Sequence, residues 1–223
     1  MKVSVIIPAY NERDTIEEAI RRVKAVPVDK EIIVADDGST DGTAEVVAGI
    51  PDVLLVRNEK NEGKGIAIRR ALPHATGDIV LIQDADLEYD PKDYPALIEP
   101  IEKGEADVVY GSRFLMGRPH MKLAHFIANK VFAWTATLLY GVRVTDEGTA
   151  YKAFRRELLT GLDLRCRRFE FCPEVTARLL KRGVRYKEVP IWYRARTVAE
   201  GKKIGYRDGL EILWALIKYR FKG

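Results

Sequence analysis

Two carboxylates close a short apolar run and could hold a divalent cation. Asp84 and Asp86 follow the stretch Ile79-Val80-Leu81-Ile82, which has the composition of a buried strand. In an extended chain, residues two apart project to the same face, so both carboxylates could reach one cation. Mg²⁺ prefers oxygen ligands and often shares them with substrate phosphates. The pair therefore predicts a metal-diphosphate site, although an Asp-x-Asp segment is more often a solvated loop.

The elements that would position this pair alternate between strand and helix. Apolar runs predict strands at 2–8, 31–35, 53–56, 78–82 and 107–113. Helical spacing of apolar residues follows each of the first four runs. This alternation predicts an α/β fold with a mostly parallel sheet covered by helices on both faces. In such sheets, ligands bind at the carboxyl ends of the strands.

Polar loops follow the predicted strands at that same edge. They contain Pro8–Glu12, Asp36–Gly42 and Asn61–Gly65. Each loop could be only a turn or a helix cap: Asn11 is predicted to cap the first helix, and Asp41 or Thr40 could satisfy free amides. The third loop does not fit the phosphate-loop pattern, because Gly65 follows its lysine where that pattern has Ser or Thr. The recurrence of polar loops at one edge nevertheless favours a ligand site.

Five motifs together resemble the family-2 glycosyltransferases of the GT-A fold. They are Pro8–Glu12, Asp36–Asp41, Asn61–Gly65, Asp84–Asp86 and Gly111–Arg113. Within that family, the chain is most similar to the polyprenyl-phosphate hexosyltransferases, such as dolichol-phosphate mannose synthases. The stretch 145–155 resembles their catalytic region, although Gly148-Thr149 stands where Ser-Gly is common. The resemblance covers essentially the whole chain. It implies one Rossmann-like domain, residues 1–223, with a nucleotide-sugar half at 1–115 and an acceptor half at 116–223.

The same resemblance implies roles for particular residues. Donor binding would involve Pro8, Ala9, Tyr10, Glu12, Asp37, Lys64, Asp84, Ala85 and Asp86. The ligands of Mg²⁺ or Mn²⁺ would be Asp84, Asp86 and Glu88, the last of which departs from the Gln of some relatives. Phosphate contacts would come from Arg113, Arg196 and Lys203, because Arg offers a planar fork and Lys a point charge. The catalytic residues would be Asp86 and, at the acceptor end, Asp146.

The implied reaction is metal-dependent, inverting transfer of a hexose from a nucleotide diphosphate sugar to a polyprenyl (dolichyl) phosphate. Mannose from GDP-mannose is the first expectation, and glucose from UDP-glucose is the second. A lipid phosphate needs little deprotonation, so Asp146 would orient it, whereas a sugar hydroxyl would require a general base. Two alternatives stay open. One is a soluble transferase for a polysaccharide or small glycoside, and the other is a non-catalytic sugar-nucleotide sensor.

Composition sets the broad class of protein. A chain of 223 residues that is 47% apolar and 31% charged suits one α/β domain with an ample core. The spacing of Cys166 and Cys172 fits neither a zinc site nor a redox Cys-x-x-Cys, so both are predicted to be packing residues. No metal is assigned to the three histidines. The N-terminus has no secretory signal pattern, which predicts a cytoplasmic location.

Two segments predict contact with a membrane surface. Val131–Tyr140 has ten residues, half of the roughly 20 that a spanning helix needs, and the helical pattern at 120–140 suits an interfacial helix or a core helix equally. Residues 194–223 contain eight basic and three acidic residues, a net charge of +5, among an aromatic-rich amphipathic pattern. Each cation near an anionic surface contributes about 1 kcal/mol of attraction. We expect a peripheral enzyme at the inner face of the membrane, with a separate membrane-anchoring protein as a possible partner and no nucleic acid.

Overall fold

The computed structural model of the protein describes residues 1–119, 121–196 and 206–222. In chain order, the elements are β1 (Val3–Ala9), α1 (Arg13–Ala25), β2 (Lys30–Asp36), α2 (Thr43–Ala48), β3 (Val53–Arg57), α3 (Lys64–Ala71), β4 (Ile79–Ile82), α4 (Tyr94–Glu102), β5 (Val108–Ser112), α5 (Leu123–Tyr140), β6 (Lys152–Arg155), α6 (Arg156–Thr160), α7 (Phe171–Lys181), β7 (Tyr186–Pro190) and α8 (Tyr206–Phe221). Short 3₁₀ turns lie at Leu72–His74 and Pro91–Asp93.

The strands form one seven-stranded sheet in the order β3-β2-β1-β4-β6-β5-β7. Every neighbouring pair is parallel except the two that involve β6, which runs antiparallel to both β4 and β5. The predicted α/β class with a mostly parallel sheet is therefore confirmed. The sequence analysis did not predict β6 or β7, because each is short and carries charged residues that hide a strand pattern.

The apolar residues of the strands divide between two core layers, one on each face of the sheet. In β1, Val3, Val5 and Ile7 belong to the layer covered by α1 and α4, whereas Ile6 belongs to the layer covered by α3 and α7. This alternation follows from the two-residue period of a strand. Fully burying one such side chain stabilises the fold by about 1.5 to 3 kcal/mol. Both layers hold the strand ends in place, and those ends carry the site.

The helices α5 and α8 pack beside each other outside the sheet. A small core of Ala136, Val144, Leu180 and Leu216 joins them to α7. The hydroxyl of Tyr140 donates to the Leu216 carbonyl at 2.6 Å, which fixes the end of α5 against α8. No helix in the described part of the chain has both the length and the apolar character needed to cross a bilayer. The division at residues 115 and 116 stays a prediction, and the sheet itself includes strands from both halves.

Candidate active site

The loops after β1 and β2 interlock at the carboxyl edge of the sheet. The side-chain oxygen of Asn11 accepts from the amide of Thr40 at 2.9 Å, and the Asn11 amide donates to the Ser39 hydroxyl at 2.9 Å. Asn11 has a left-handed backbone, with φ of 52°, and α1 begins only at Arg13. The prediction that Asn11 caps α1 is therefore wrong. Its side chain instead braces the neighbouring loop.

Asp41 accepts hydrogen bonds from backbone amides at the starts of α1 and α2, as a capping residue does. Its carboxylate accepts from the Arg13 amide at 3.0 Å, and from the amide and hydroxyl of Thr43 at 3.0 and 2.6 Å. It thereby joins the starts of α1 and α2. The structural interpretation of Asp41 as an amide acceptor is confirmed.

Asp37 shapes the loop that leads into α3. Its carboxylate accepts from the Asn58 side chain at 2.7 Å and from the amides of Glu62 and Gly63 at 3.0 and 2.7 Å. The sequence analysis missed Asn58, which follows β3 and is buried. The protein itself thus supplies three hydrogen-bond donors to the Asp37 carboxylate. The predicted role of Asp37 in binding the nucleotide sugar stays a prediction.

Two glycines let a second loop close over the start of α3. Gly63 has φ of 109°, and a Cβ atom there would collide with the Arg167 carbonyl. A Cβ at Gly65 would lie 3.0 Å from the Arg168 carbonyl oxygen. In this close packing, the Gly65 amide donates to that same oxygen at 3.1 Å. The arrangement fixes Lys64, which lies between the two glycines, at the site.

Lys64 and Arg196 bring positive charge to the two aspartates. The Lys64 ammonium lies 2.5 Å from Asp84 Oδ1, and Arg196 Nη2 lies 2.8 Å from Asp86 Oδ2. The aspartates lie in a turn, since β4 ends at Ile82 and the Glu88 amide donates to Asp86 Oδ1 at 3.1 Å. The assumption of an extended backbone is therefore wrong, but the turn still brings both carboxylates to the site.

Buried side chains hold this turn in place. Gln83 accepts from the hydroxyls of Tyr94 and Tyr151 at 2.8 and 2.7 Å and donates to the Asp84 carbonyl at 2.8 Å. The sequence analysis assigned Gln83 no role, although a polar residue that directly follows an apolar strand is a usable signal. Ala85, which lies between the two aspartates in the chain, is also buried.

The carboxylates crowd one another electrostatically. Burial, with the nearby charges of Asp84 and Glu88, raises the pKa of Asp86 to about 7 against the opposing effect of Arg196. Burial alone would lower the pKa of Lys64, but the charge and hydrogen bond of Asp84, together with the charges of Cys172 and Asp86, outweigh burial and the pKa is raised. These carboxylates repel each other and attract two cationic side chains. Their oxygen atoms are ligands that suit a divalent cation. Among residues 1–119, 121–196 and 206–222, no three His, Cys, Asp or Glu side chains converge as a ready-made metal centre.

Arg196 also gathers two further predicted residues. Its backbone amide donates to Glu88 Oε1 at 2.7 Å, and its Nη1 lies 3.3 Å from Glu12 Oε2. The other Glu88 oxygen accepts from the Tyr193 hydroxyl at 2.9 Å. The structure thus brings Glu12, Asp86, Glu88 and Arg196 together. Lys203 lies outside the described residues.

The remaining donor-side predictions surround the end of β1. Pro8 and Ala9 are the last buried residues of that strand, and Tyr10 is half-buried directly after it. The Ala9 carbonyl accepts from the Asp37 amide at 2.8 Å. This backbone bond links the first two loops of the site.

A second arginine–carboxylate pair lies after β5. Arg113 donates to Asp146 through Nε and Nη2, both at 2.7 Å, and through its backbone amide at 2.9 Å. Although burial lowers the pKa of Arg113, the charge of Asp146 raises it well above its usual value. Nη2 also donates to Asn129 on α5 at 3.0 Å. Two predicted site residues, Arg113 and Asp146, are therefore direct partners.

Two charged side chains fix the loop that carries Asp146. From β7, Glu188 accepts from the amides of Thr145 and Asp146 at 2.9 and 3.1 Å. From β6, the buried Lys152 ammonium donates to the carbonyls of Glu147 and Thr149, each at 2.7 Å. The sequence analysis gave Lys152 and Glu188 no role, because their partners are backbone atoms that no residue pattern reveals.

The comparisons with known proteins agree on one family of glycosyltransferases. The Glycosyl transferase family 2 model matches residues 4–161. The dolichol-phosphate mannosyltransferase of Pyrococcus furiosus is 32% identical over 218 residues, which cover 92% of this chain and 60% of that protein. The undecaprenyl-phosphate mannosyltransferase of Micrococcus luteus is 29% identical over 92% of this chain and 88% of its own length. The chain thus spans about three fifths of the first of these relatives.

Solved structures agree with the fold. Glucosyl-3-phosphoglycerate synthase from Mycobacterium tuberculosis, in complex with uridine diphosphate, has a TM-score of 0.77 and 26% identity, covering 99% of this chain and 80% of that one. The same synthase in complex with Mn²⁺, uridine diphosphate and phosphoglyceric acid has a TM-score of 0.75 and 26% identity, covering 98% and 78%. These neighbours have the GT-A fold, and so does this chain.

Proposed function

Because the chain belongs to glycosyl transferase family 2, we propose that it transfers a hexose from a nucleotide diphosphate sugar to the phosphate of a polyprenyl phosphate. The observation that carries the proposal is the position of Arg113. It is fixed by Asp146 and hydrogen-bonded to Asn129, on a helix whose outer face is apolar and exposed. If Arg113 binds the phosphate as proposed, the apolar surface next to it suits an acceptor that has an anionic head and a hydrocarbon tail.

The donor would bind at the loops after β1, β2 and β4. Lys64 and Arg196 supply positive charge for a diphosphate, and Pro8, Ala9, Tyr10, Glu12 and Asp37 lie where the nucleoside would bind. Mannose from GDP-mannose is the preferred donor, in line with the mannosyltransferase relatives, and glucose from UDP-glucose is the alternative.

Asp84 and Asp86 would hold Mg²⁺ or Mn²⁺. When bound, the cation neutralises charge on the departing diphosphate. Glu88 already accepts from Tyr193 and from the Arg196 amide, so we assign the principal ligand role to the two aspartates. The catalytic role of Asp86 would be to place this charge at the leaving group.

The acceptor end would work without a general base. A phosphate oxygen is ionised near neutral pH and can attack the anomeric carbon directly, forming one C–O bond while the bond to the diphosphate breaks on the opposite face. The Asp146 side chain is fully buried and accepts hydrogen bonds from Arg113. Asp146 would therefore be a positioning residue that orients the guanidinium. A hydroxyl acceptor would instead require a base within hydrogen-bonding distance.

The membrane contact would be made by α5 and α8. Both helices expose an apolar stripe at helical spacing. The stripes consist of Leu123, Ile127, Val131, Trp134 and Leu138 on α5, and Leu210, Trp214, Ile217 and Phe221 on α8. Lys218, Arg220 and Lys222 are exposed at the end of α8 and would attract anionic headgroups. We propose a peripheral position at the inner face of the membrane, with or without a separate anchoring protein.

A second candidate is a soluble phosphorylated acceptor. The neighbouring synthase was crystallised with phosphoglyceric acid, and this chain covers 78% of it, a larger share than of the Pyrococcus relative. Arg113 could bind the phosphate of either acceptor. The apolar stripes have no role in this second function, which is why we rank it below the first.

The test is a matrix of donors and acceptors. Purified protein and Mn²⁺ or Mg²⁺ are incubated with labelled GDP-mannose or UDP-glucose, and with a polyprenyl phosphate, phosphoglyceric acid or no acceptor. We expect labelled lipid, together with nucleotide release that depends on the lipid. Product formed only from phosphoglyceric acid would establish the second candidate, and no transfer with any combination would refute both.

A further inference from the structure

The Arg196 guanidinium lies among three acidic side chains of the site. Its Nη2 is 2.8 Å from Asp86, its Nη1 is 3.3 Å from Glu12, and its Nε is 3.9 Å from Glu88. The guanidinium is therefore in contact with three carboxylates that would otherwise repel one another. Lys64 is the cationic partner of Asp84, with its Nζ 2.5 Å from Asp84 Oδ1.

The bonds of Arg196 are less complete than those of a permanent ion pair. It makes one short bond to Asp86, and its Nε is buried without a hydrogen-bond partner among the described residues. A buried donor without a partner costs about 1 to 3 kcal/mol, so a fully satisfied arrangement would be more stable. Arg113, by comparison, makes three bonds of 2.9 Å or less to Asp146. Arg196 thus has one short bond to Asp86 and longer bonds to Glu12, at 3.3 and 3.5 Å, and its hold on Asp86 is weaker than that of Arg113 on Asp146.

A divalent cation and the guanidinium would compete for the Asp86 carboxylate. Two like charges about 4 Å apart repel strongly in a partly buried site, where the effective dielectric constant is well below that of water. Binding of the cation would therefore be favoured by movement of Arg196 away from Asp86. A diphosphate next to the cation offers the guanidinium a new anionic partner.

We propose that Arg196 is the internal counter-ion of Asp86 and makes cation binding depend on the nucleotide diphosphate. Without ligands, Arg196 competes with the cation for Asp86. With a diphosphate present, Arg196 pairs with the phosphate oxygens and the competition ends. This inference rests on the proposed function for the identity of the two ligands, and it adds a defined coupling between them.

Mn²⁺ binding measured without turnover tests this coupling. Electron paramagnetic resonance gives the free Mn²⁺ concentration for the wild type and for Arg196→Gln, each with and without GDP or UDP. We expect Arg196→Gln to bind Mn²⁺ about tenfold more tightly than the wild type in the absence of nucleotide. A positive charge beside a carboxylate weakens its binding of a proton by about tenfold or more, and we expect a similar effect on its binding of Mn²⁺. The nucleotide should enhance Mn²⁺ binding less in the variant than in the wild type.

Two control variants separate local competition from other effects. Arg21→Gln removes the same charge from an exposed pair with Glu18 on α1, and it should leave Mn²⁺ affinity unchanged. Arg196→Lys keeps the charge, and it should bind Mn²⁺ like the wild type. Thermal unfolding curves verify that each variant is folded.

The outcomes distinguish this inference from the proposed function. If the wild type binds Mn²⁺ and Arg196→Gln binds it no more tightly than Arg21→Gln, the counter-ion role is wrong while the metal-dependent function stands. If no variant binds Mn²⁺ even with a nucleotide diphosphate, both the counter-ion role and the metal site are wrong.

Discussion

Two arginine–carboxylate pairs lie in the candidate site, at the proposed acceptor end and the proposed donor end, and they differ in how many hydrogen bonds join them. The Arg113–Asp146 pair at the acceptor end is 7% and 0% exposed and is joined by three hydrogen bonds. The Arg196–Asp86 pair at the donor end is 16% and 14% exposed and is joined by one. Similar chemistry is thus held in two different environments.

The difference indicates which groups are fixed and which can exchange partners. The Asp146 carboxylate accepts three hydrogen bonds from Arg113, and its loop is fixed by Glu188 and Lys152. Asp86 lies beside two other carboxylates, so its guanidinium partner relieves repulsion that another cation could relieve as well. The proposed acceptor end would therefore be pre-organised, whereas the proposed donor end would be completed by its ligands.

The largest effect is expected from Asp86→Ala. Loss of a principal cation ligand should lower metal-dependent turnover about a thousandfold or more, because metal ions contribute several kcal/mol of charge stabilisation in such reactions. Steady-state nucleotide release at saturating Mn²⁺ measures the change. Normal turnover in this variant would refute the proposed metal site.

A large effect of another kind is expected from Asp146→Asn. This change leaves the buried Arg113 guanidinium without its counter-ion, and the loss of one partner of a buried pair costs about 3 to 5 kcal/mol of unfolding free energy. Urea denaturation measures it. Asp86→Asn is the matched control, and without ligands it should cost far less, since it also removes repulsion from Asp84 and Glu88. Equal losses in the two variants would remove the distinction between a fixed and an exchangeable pair.

A smaller effect is expected on the apolar stripes of α5 and α8. Trp134 and Trp214 are 69% and 63% exposed, and burying such a side chain in a membrane surface contributes about 1.5 kcal/mol or more. Trp214→Ser should lower partitioning into anionic vesicles roughly tenfold, as measured by co-sedimentation. High salt should weaken the same binding by screening the basic residues.

Leu54→Ser is the control for this surface. Leu54 is 44% exposed on β3, the strand at the opposite edge of the sheet from β7, so the change should not alter vesicle binding. Equal binding by Trp214→Ser and the wild type would count against the membrane role of α8.

The smallest effect concerns a third pair, which is distant from the proposed chemistry. The hydrogen bond from Arg185 lowers the pKa of Asp107 to about 2. Because the folded-state pKa lies below the usual value, the contribution to stability is present above about pH 4 and is lost as pH falls toward 2. Asp107→Asn should therefore unfold with a weaker dependence on pH in that window. An unchanged acid-unfolding profile would show that this pair does not contribute.

Much of the fold could be predicted from local patterns. The first five strands are apolar runs in the sequence, and their order with intervening helices determines the class. The antiparallel β6 could not be predicted in this way. Its four residues, Lys152–Arg155, place two apolar side chains between two charged ones, and the buried Lys152 ammonium has backbone partners.

The sequence indicated which residues of the candidate site would lie together better than it indicated how they pair. The motifs indicated Asp84, Asp86, Arg113 and Asp146, and the fold places them in two groups that each contain an arginine. The sequence could not indicate that Asp146 binds Arg113, since 33 residues separate them. Nor could it indicate that Arg196, 110 residues after Asp86, reaches the aspartate. Such pairings depend on tertiary structure, which residue spacing does not encode.

The most direct test of the central claim is a competition between acceptors in one reaction. Labelled GDP-mannose or UDP-glucose is incubated with the protein, a divalent cation, polyprenyl phosphate in anionic vesicles and an equal concentration of phosphoglyceric acid. We expect the label to enter the lipid, EDTA to prevent this transfer, and Trp214→Ser to slow it. Label that enters phosphoglyceric acid in preference to the lipid would contradict the account.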